Sequence, residues 1–133
     1  MWPPEVERVA AFLRTAGVEG RLEEIPADEA EAPGPAIRAR TYECDGRAVV
    51  VLIPADREVD QEKLSTAAQC AVARRVETPA FPYRNAVVLV DRLIFSEHMM
   101  WIEAGSARHF AALAPAQIAE LTRAATADLV VDA

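Results

Sequence analysis

The stretch RTYECDGRAVVVLIPADREVDQEKL, Arg40 to Leu64, carries a strand, a turn, a second strand, a stop and a helix start in succession. Asp45-Gly46 is a strong hairpin signal, because both residues tolerate the positive φ that a tight two-residue turn demands. The apolar run Ala48–Ile53 that follows has no polar alternation, which predicts a central strand buried on both faces. Pro54-Ala55-Asp56 ends it. Asp60 is placed to cap a helix running through Leu64 to about Gln69. On the other side of the turn, Ile37 to Cys44 alternates well enough for the partner strand.

Working outward, Pro3-Pro4 suits the first turn of a helix. Val6, Val9, Ala10 and Leu13 fall on one face of it, and Gly17 is a natural stop, so a helix is expected over 4–16. Glu19 to Pro26 reads as a short strand around RLEEI. Ala27–Ala32 is expected to form one helical turn before Pro33-Gly34-Pro35 ends it. Val72–Val76 reads as a short strand. Glu77 to Asn85, ETPAFPYRN, holds two prolines and reads as irregular. Ala86–Val90 is a second strand of the buried type. Met99–Ala104 and His109–Leu113 read as two strands around Gly105. Pro115 opens a last helix with Ile118, Leu121, Thr122 and Ala125 on one face, and Asp128–Val131 is expected to add an edge strand. This order predicts one domain over 1–133 of α+β class, with a mixed, mostly antiparallel sheet or partial barrel and flanking helices.

With 52% hydrophobic and 26% charged residues, the composition is that of an ordinary globular domain. No apolar run is long enough to span a bilayer. The N-terminal MWPPEVER lacks a basic segment followed by an apolar one, so no signal peptide is expected and a cytoplasmic location is the default. Cys44 and Cys70 form no CxxC and have no histidine at ligand spacing; free thiols are expected, with no metal and no cofactor. A net charge of −7 argues against promiscuous nucleic-acid binding and against a DNA partner. The charge is uneven, with 8 basic and 14 acidic residues in 1–66 against 6 and 7 in 67–133. Ala71–Arg92 is locally positive, which offers either a face for an RNA end or simply scattered surface arginines. Thirteen of the 14 basic residues are arginine, leaving Lys63 as the one lysine.

The order of these segments resembles the YbaK / prolyl-tRNA-synthetase-associated domain family, free-standing or inserted aminoacyl-tRNA deacylases that edit Cys-tRNA(Pro) and Ala-tRNA(Pro). The likeness runs over nearly the whole chain, from VERVAAFLRTAGVEG to AQIAELTRAATADLV. It is clearest in RAVVVLIPADREVDQEKL, in NAVVLVD and in MMWIEAGSARHFAALAPAQIAEL. The resemblance implies hydrolysis of the ester of a mischarged tRNA, with the 3′ end of aminoacyl-tRNA as partner and a homodimer as a possible assembly.

Residue by residue, the family's strand lysine and following threonine correspond to Arg40-Thr41. A guanidinium is larger, planar and never neutral, so Arg40 could hold a phosphate or carboxylate or stabilise an oxyanion, but could not act as a base. The alternative is an arginine at the sheet surface. The family's Gly-xxx-Pro loop, whose backbone approaches the ester, corresponds to ETPAFPYRN. Pro82 matches its proline, Thr78 stands where the glycine would be, and Phe81 lies between them. No glycine occurs between Gly46 and Gly105. The later glycine turn matches Ala104-Gly105, and the histidine or aspartate that follows in the family falls at His109, with Phe110 as the alternative because one residue on a strand reverses the face. The resemblance thus implies Arg40 and His109 as catalytic and Thr41, Thr78, Phe81, Pro82 and Gly105 as substrate-binding. His98 reads as plain surface.

Two other readings stand beside this one. The substituted lysine and missing loop glycine fit a degenerate member that binds a small molecule, an aminoacyl-tRNA or a protein without hydrolysis. A protein that works only through partners would use the Met99, Met100 and Trp101 neighbourhood as a contact patch.

Overall fold

The computed structural model describes residues 2–26, 28, 31–71 and 73–132. In chain order its elements are helix α1 (Pro4–Thr15), strands β1 (Arg21–Glu24), β2 (Ile37–Cys44) and β3 (Arg47–Pro54), helix α2 (Gln61–Ala68), strands β4 (Ala73–Val76) and β5 (Val87–Asp91), a 3-10 turn (Arg92–Ser96), strands β6 (Met100–Ser106) and β7 (His109–Leu113), helix α3 (Pro115–Thr122) and strand β8 (Ala125–Ala127). They form a three-stranded sheet, β1-β7-β6, and a five-stranded sheet, β4-β2-β3-β5-β8. The class is α+β as expected. The expected partial barrel is corrected to two sheets that do not close, in contact where Ala36 bridges Trp101 in parallel.

The hairpin at the heart of the larger sheet forms for the reason its sequence gives. Asp45 and Gly46 take φ of 51° and 84°, the pair of positive values that matches strand twist. Every residue from Ile37 to Cys44 then pairs with one from Pro54 to Arg47. Strand β3 is buried on both faces. Val50 and Leu52 join the core between the sheets with Val9, Leu13, Ile102 and Leu113. Val49, Val51 and Ile53 join a second core under α2 with Tyr42, Leu64 and Leu129. Each such side chain contributes about 1.5–3 kcal/mol by leaving water. Asp60 caps α2 as read, its carboxylate accepting from the N–H groups of Glu62 and Lys63 at 2.9 and 3.1 Å.

The far end of the chain departs from expectation. Ala125 does not continue the last helix; Arg123 turns left-handed (φ 56°) and ends it. The final strand is Ala125–Ala127, parallel to β5, rather than Asp128–Val131. Val130 instead bridges Val59. Two polar anchors hold this tail. The buried Asp91 carboxylate accepts from the Leu93 N–H at 2.9 Å and the Leu129 N–H at 2.8 Å. Lys63 Nζ donates to the Val130 carbonyl at 2.7 Å and pairs with Asp128 and Asp132 at 3.0 and 2.7 Å. The 3-10 turn was not anticipated, and most of the expected helical turn at 27–32 lies outside the described residues.

Both cysteines are buried in the α2 core and neither is in a disulfide. Burial, then the hydrogen bond to Cys70, push the Cys44 thiol up to about 12. A raised thiol favours the neutral form in the fold, so its contribution to stability is complete below the ordinary thiol range and is lost as pH rises toward about 12. The native protein should therefore leave both thiols unlabelled by a small alkylating reagent at pH 8, and both should react in denaturant. Rapid native labelling of Cys44 at pH 8 would contradict this burial.

Candidate functional site

Strand β4 has four residues and pairs only with Thr41–Cys44 of β2. The first half of β2, Ile37–Arg40, is paired with β3 on one side and is left uncovered by β4 on the other. A cleft of about 1200 Å³ lies along that edge. It is lined by consecutive residues Ile37, Arg38, Ala39 and Arg40, whose side chains alternate between the faces of the sheet, so it is reached from both sides of β2. Its opposite wall comes from the 78–83 loop and from β6 and β7.

Arg40 stands half-buried in this wall. Period two puts Arg38 on the same face, and pairing of Tyr42 with Arg75 brings a third guanidinium onto it. Burial first, then Arg75 and Arg38, lower the Arg40 pKa. It remains a cation, but one whose charge is penalised twice. Arg38 has Glu58 at 3.6 Å. None of the ion pairs among the described residues includes Arg40. An incoming anionic or strongly polar oxygen would relieve this unpaired charge.

The loop opposite is tied to the same strand. Thr41, almost fully buried, donates from Oγ1 to Thr78 Oγ1 at 2.9 Å. Thr41 therefore sits behind the cleft wall and holds the loop, while Thr78 lines the cleft beside Phe81. The Phe81-Pro82 peptide is cis. Pro82 is not on the cleft wall; it bends the chain so that Tyr83, also a lining residue, follows Phe81 inward. Tyr83 donates its N–H to the Ala80 carbonyl at 2.8 Å, and its φ of 63° is a left-handed value that costs a bulky residue about 1–2 kcal/mol. Burial chiefly, then the Glu103 carboxylate, push the Tyr83 hydroxyl above the ordinary phenol range.

His109, expected as catalytic, is not among the residues lining the cleft. The strand register puts Phe110 on the cleft wall and turns His109 away. Its Nδ1 meets Ser106 Oγ at 2.6 Å, its ring packs edge-on against Trp2 at 5.7 Å, and Nε2 lies 3.6 Å from Glu24. Gly105 does line the cleft, yet its missing side chain serves packing. It has φ of 99°, and a Cβ there would meet the Glu5 carbonyl and Val6 nitrogen of α1 at 2.7–2.8 Å. It falls where the β6–β7 register shifts. Arg40, Thr78, Phe81 and Gly105 all line one extended cleft, Arg40 from the Tyr42 face of β2 and Phe81 from the opposite face, that of Ile37 and Ala39; Thr41 and Pro82 lie behind its wall, and His109 lies elsewhere. Tyr83 was missed. The available signal was an aromatic after the second proline of a loop, which by itself does not reveal an inward turn.

Among the described residues no helix is long and apolar enough to cross a membrane, and no cluster of histidine, cysteine and carboxylate side chains could hold a metal ion. Among the residues lining the cleft are the carboxylates of Glu31, Asp56, Glu97 and Glu103.

No family model matches the chain, and no curated protein sequence matches it. Solved structures do. A candidate trans-editing enzyme for prolyl tRNA synthetase superposes with a TM-score of 0.87 at 17% identity, covering 99% of this chain and 100% of that one. A scaffold protein from computational epitope backbone grafting gives 0.84 at 17% identity, with 99% and 100% covered. A candidate signal transduction protein from Marinobacter aquaeolei VT8 gives 0.74 at 17% identity, with 99% of this chain matching 31% of that one. The fold is YbaK-like. Its reuse in proteins described for such different purposes means that function has to be argued from the cleft.

Two substitutions test how the site is held. Gly105→Ala, strained in φ and clashing with α1 backbone, should cost about 2–4 kcal/mol in urea unfolding; an unchanged midpoint would mean that α1 yields freely. Thr41→Val keeps shape but removes the donor to Thr78, and should cost about 1 kcal/mol while making the 78–83 loop more readily cleaved by protease. Equal cleavage would show that the loop is held by its apolar residues alone.

Proposed function

We propose that the protein is an editing-like hydrolase that cleaves the ester of a mischarged aminoacyl-tRNA. The observation that carries this reading is the unpaired, half-buried Arg40 cation on the wall of an open cleft in a YbaK-like fold. An aminoacyl ester is already activated, so its hydrolysis needs a positioned water and donors aimed at the developing oxyanion more than it needs a strong base. Arg40 stabilises the negative oxygen as water adds to the carbonyl carbon. The ester C–O bond then breaks, and the ribose oxygen takes the proton that the water gives up. His109 has no part in this scheme. Arg38 and Arg57, which also line the cleft, serve the phosphates of the RNA end, against the opposing charge of the lining carboxylates and of the chain as a whole, −7.

A second reading is a binding module that has kept the cleft and lost hydrolysis. What favours it is the 78–83 loop, which presents threonine, phenylalanine and tyrosine side chains to the cleft where the editing family's glycine brings backbone. Deacylation of a panel of mischarged tRNAs separates the two. Arg40→Ala should slow the preferred substrate about a hundredfold. Equal rates for wild type and variant would remove Arg40 from the chemistry, and no turnover on any member of the panel would leave the binding module.

A further inference from the structure

Three neighbouring strands bring Glu24, His109 and Ser106 into one row. In the three-stranded sheet, Glu24 of β1 stands opposite His109 of β7, and Ser106 of β6 stands opposite the same histidine on its other side. The register shift between Glu103 and Ser106 sets the serine there. None of the three lines the cleft.

The hydrogen bonds fix where the protons are. Ser106 Oγ accepts the Arg108 N–H at 3.1 Å and meets His109 Nδ1 at 2.6 Å. With that lone pair engaged, the hydroxyl proton is directed to Nδ1, and the neutral ring carries its own proton on Nε2. Nε2 is the one buried side-chain polar atom among the described residues without a hydrogen-bond partner. A Glu24 carboxylate oxygen stands 3.6 Å from it. That gap is a cost to the neutral ring, but a ring that has taken the serine proton becomes a cation facing a carboxylate. The His109 side chain is 5% exposed and packs edge-on against Trp2, where such an attraction is weakly screened. The Glu24 side chain is half-exposed and free to close the distance as the charge appears. Hydroxyl, imidazole and carboxylate in this order form the arrangement that activates a serine.

We propose that Ser106 is a second nucleophile of this protein, with His109 as its base and Glu24 as a positioning residue, and that it takes the acyl group of small activated esters. The half-buried Ser106 is reachable from solvent. Its Oγ bonds to the carbonyl carbon as its proton passes to Nδ1. The bond to the leaving oxygen breaks, and Nδ1 returns the proton to that oxygen. Water then adds to the acyl-serine, Nδ1 carries its proton to Oγ, and the acid is released. One backbone donor beside Oγ is a sparse set for stabilising an oxyanion, so the site suits esters with good leaving groups and not amides. This chemistry needs nothing from Arg40 or the cleft, and it stands or falls apart from the editing reading.

The test follows the full chain with two probes. A fluorophosphonate traps an activated serine, its phosphorus joining Oγ as fluoride leaves, and p-nitrophenyl acetate reports turnover. Peptide mapping should show Ser106 labelled about tenfold or more faster than Ser65 and Ser96, which serve as internal controls. His109→Gln should slow that labelling about a hundredfold. Glu24→Gln should slow it at least about tenfold by lowering the maximal rate, leaving the probe concentration for half that rate unchanged. Ser106→Ala should abolish any nitrophenol release above that of buffer. Glu24→Gln alters only a half-exposed side chain, so the test holds even should His109→Gln fail to fold. Labelling of Ser106 no faster than the other two serines, labelling that Glu24→Gln leaves unchanged, or nitrophenol release that survives in Ser106→Ala overturns the proposal.

Discussion

The cleft exists because one strand is short. Four residues of β4 satisfy the outer edge of Thr41–Cys44 and leave Ile37–Arg40 without a paired strand on that side. An uncovered edge presents unpaired backbone groups and is a liability that folded proteins usually blunt. Here the 78–83 loop stands off from the edge instead of zipping onto it, held by a hydrogen bond from the last position that β4 reaches, Thr41. The distance between strand edge and loop is what makes a cleft of about 1200 Å³ rather than a sixth strand. The two prolines at 79 and 82 keep the loop from joining the ladder, since neither has an N–H to give.

That edge also explains the electrostatics. Arg38 and Arg40 share a face with Tyr42 and Cys44, but α2 packs over the Tyr42 end and stops short of the arginines. The apolar core therefore gives way to a row of guanidinium groups within one strand. Arg75 joins them through the pairing of β4. Glu58 answers Arg38, and Arg40 is left in the crowd. Such frustration costs stability and is not retained for packing, because an uncharged side chain would fill the same wall without a desolvation penalty. On the proposed reading, this crowded charge is what an incoming anion would relieve; His109, more deeply buried, has Nδ1 met by Ser106 and Nε2 without a hydrogen-bond partner.

Much of this was legible in the sequence. The Asp45-Gly46 turn, the unbroken apolar run of β3 and the Asp60 cap are local signals, each with its own stereochemical cause. They fix the central hairpin, the strand buried on both faces and the start of α2. Features set by long-range contact were not legible. Thr41 and Thr78 are 37 positions apart, so their bond could not be read from spacing, although both were singled out. Facing of His109 and Phe110 depends on a register shift between Glu103 and Ser106, and a bulge moves a face by one residue without leaving a mark in composition. The parallel strand β8 is only Ala-Thr-Ala, which reads as the continuation of a helix until Arg123 ends that helix left-handed.

On the proposed reading, the loop keeps a site while changing what the site reads. A glycine there would bring bare backbone to the ligand, and backbone donors respond to the reacting carbonyl that every aminoacyl ester shares. Thr78, Phe81 and Tyr83 bring side chains instead, and side chains respond to what distinguishes one acyl group from another. On the proposed editing reading, Arg40 at the place of the family's lysine would act in the same direction, as a planar fork that demands a fixed partner geometry. With no glycine in the loop, its left-handed positions fall on Tyr83 and Asn85, where a side chain makes the turn costlier than a glycine would.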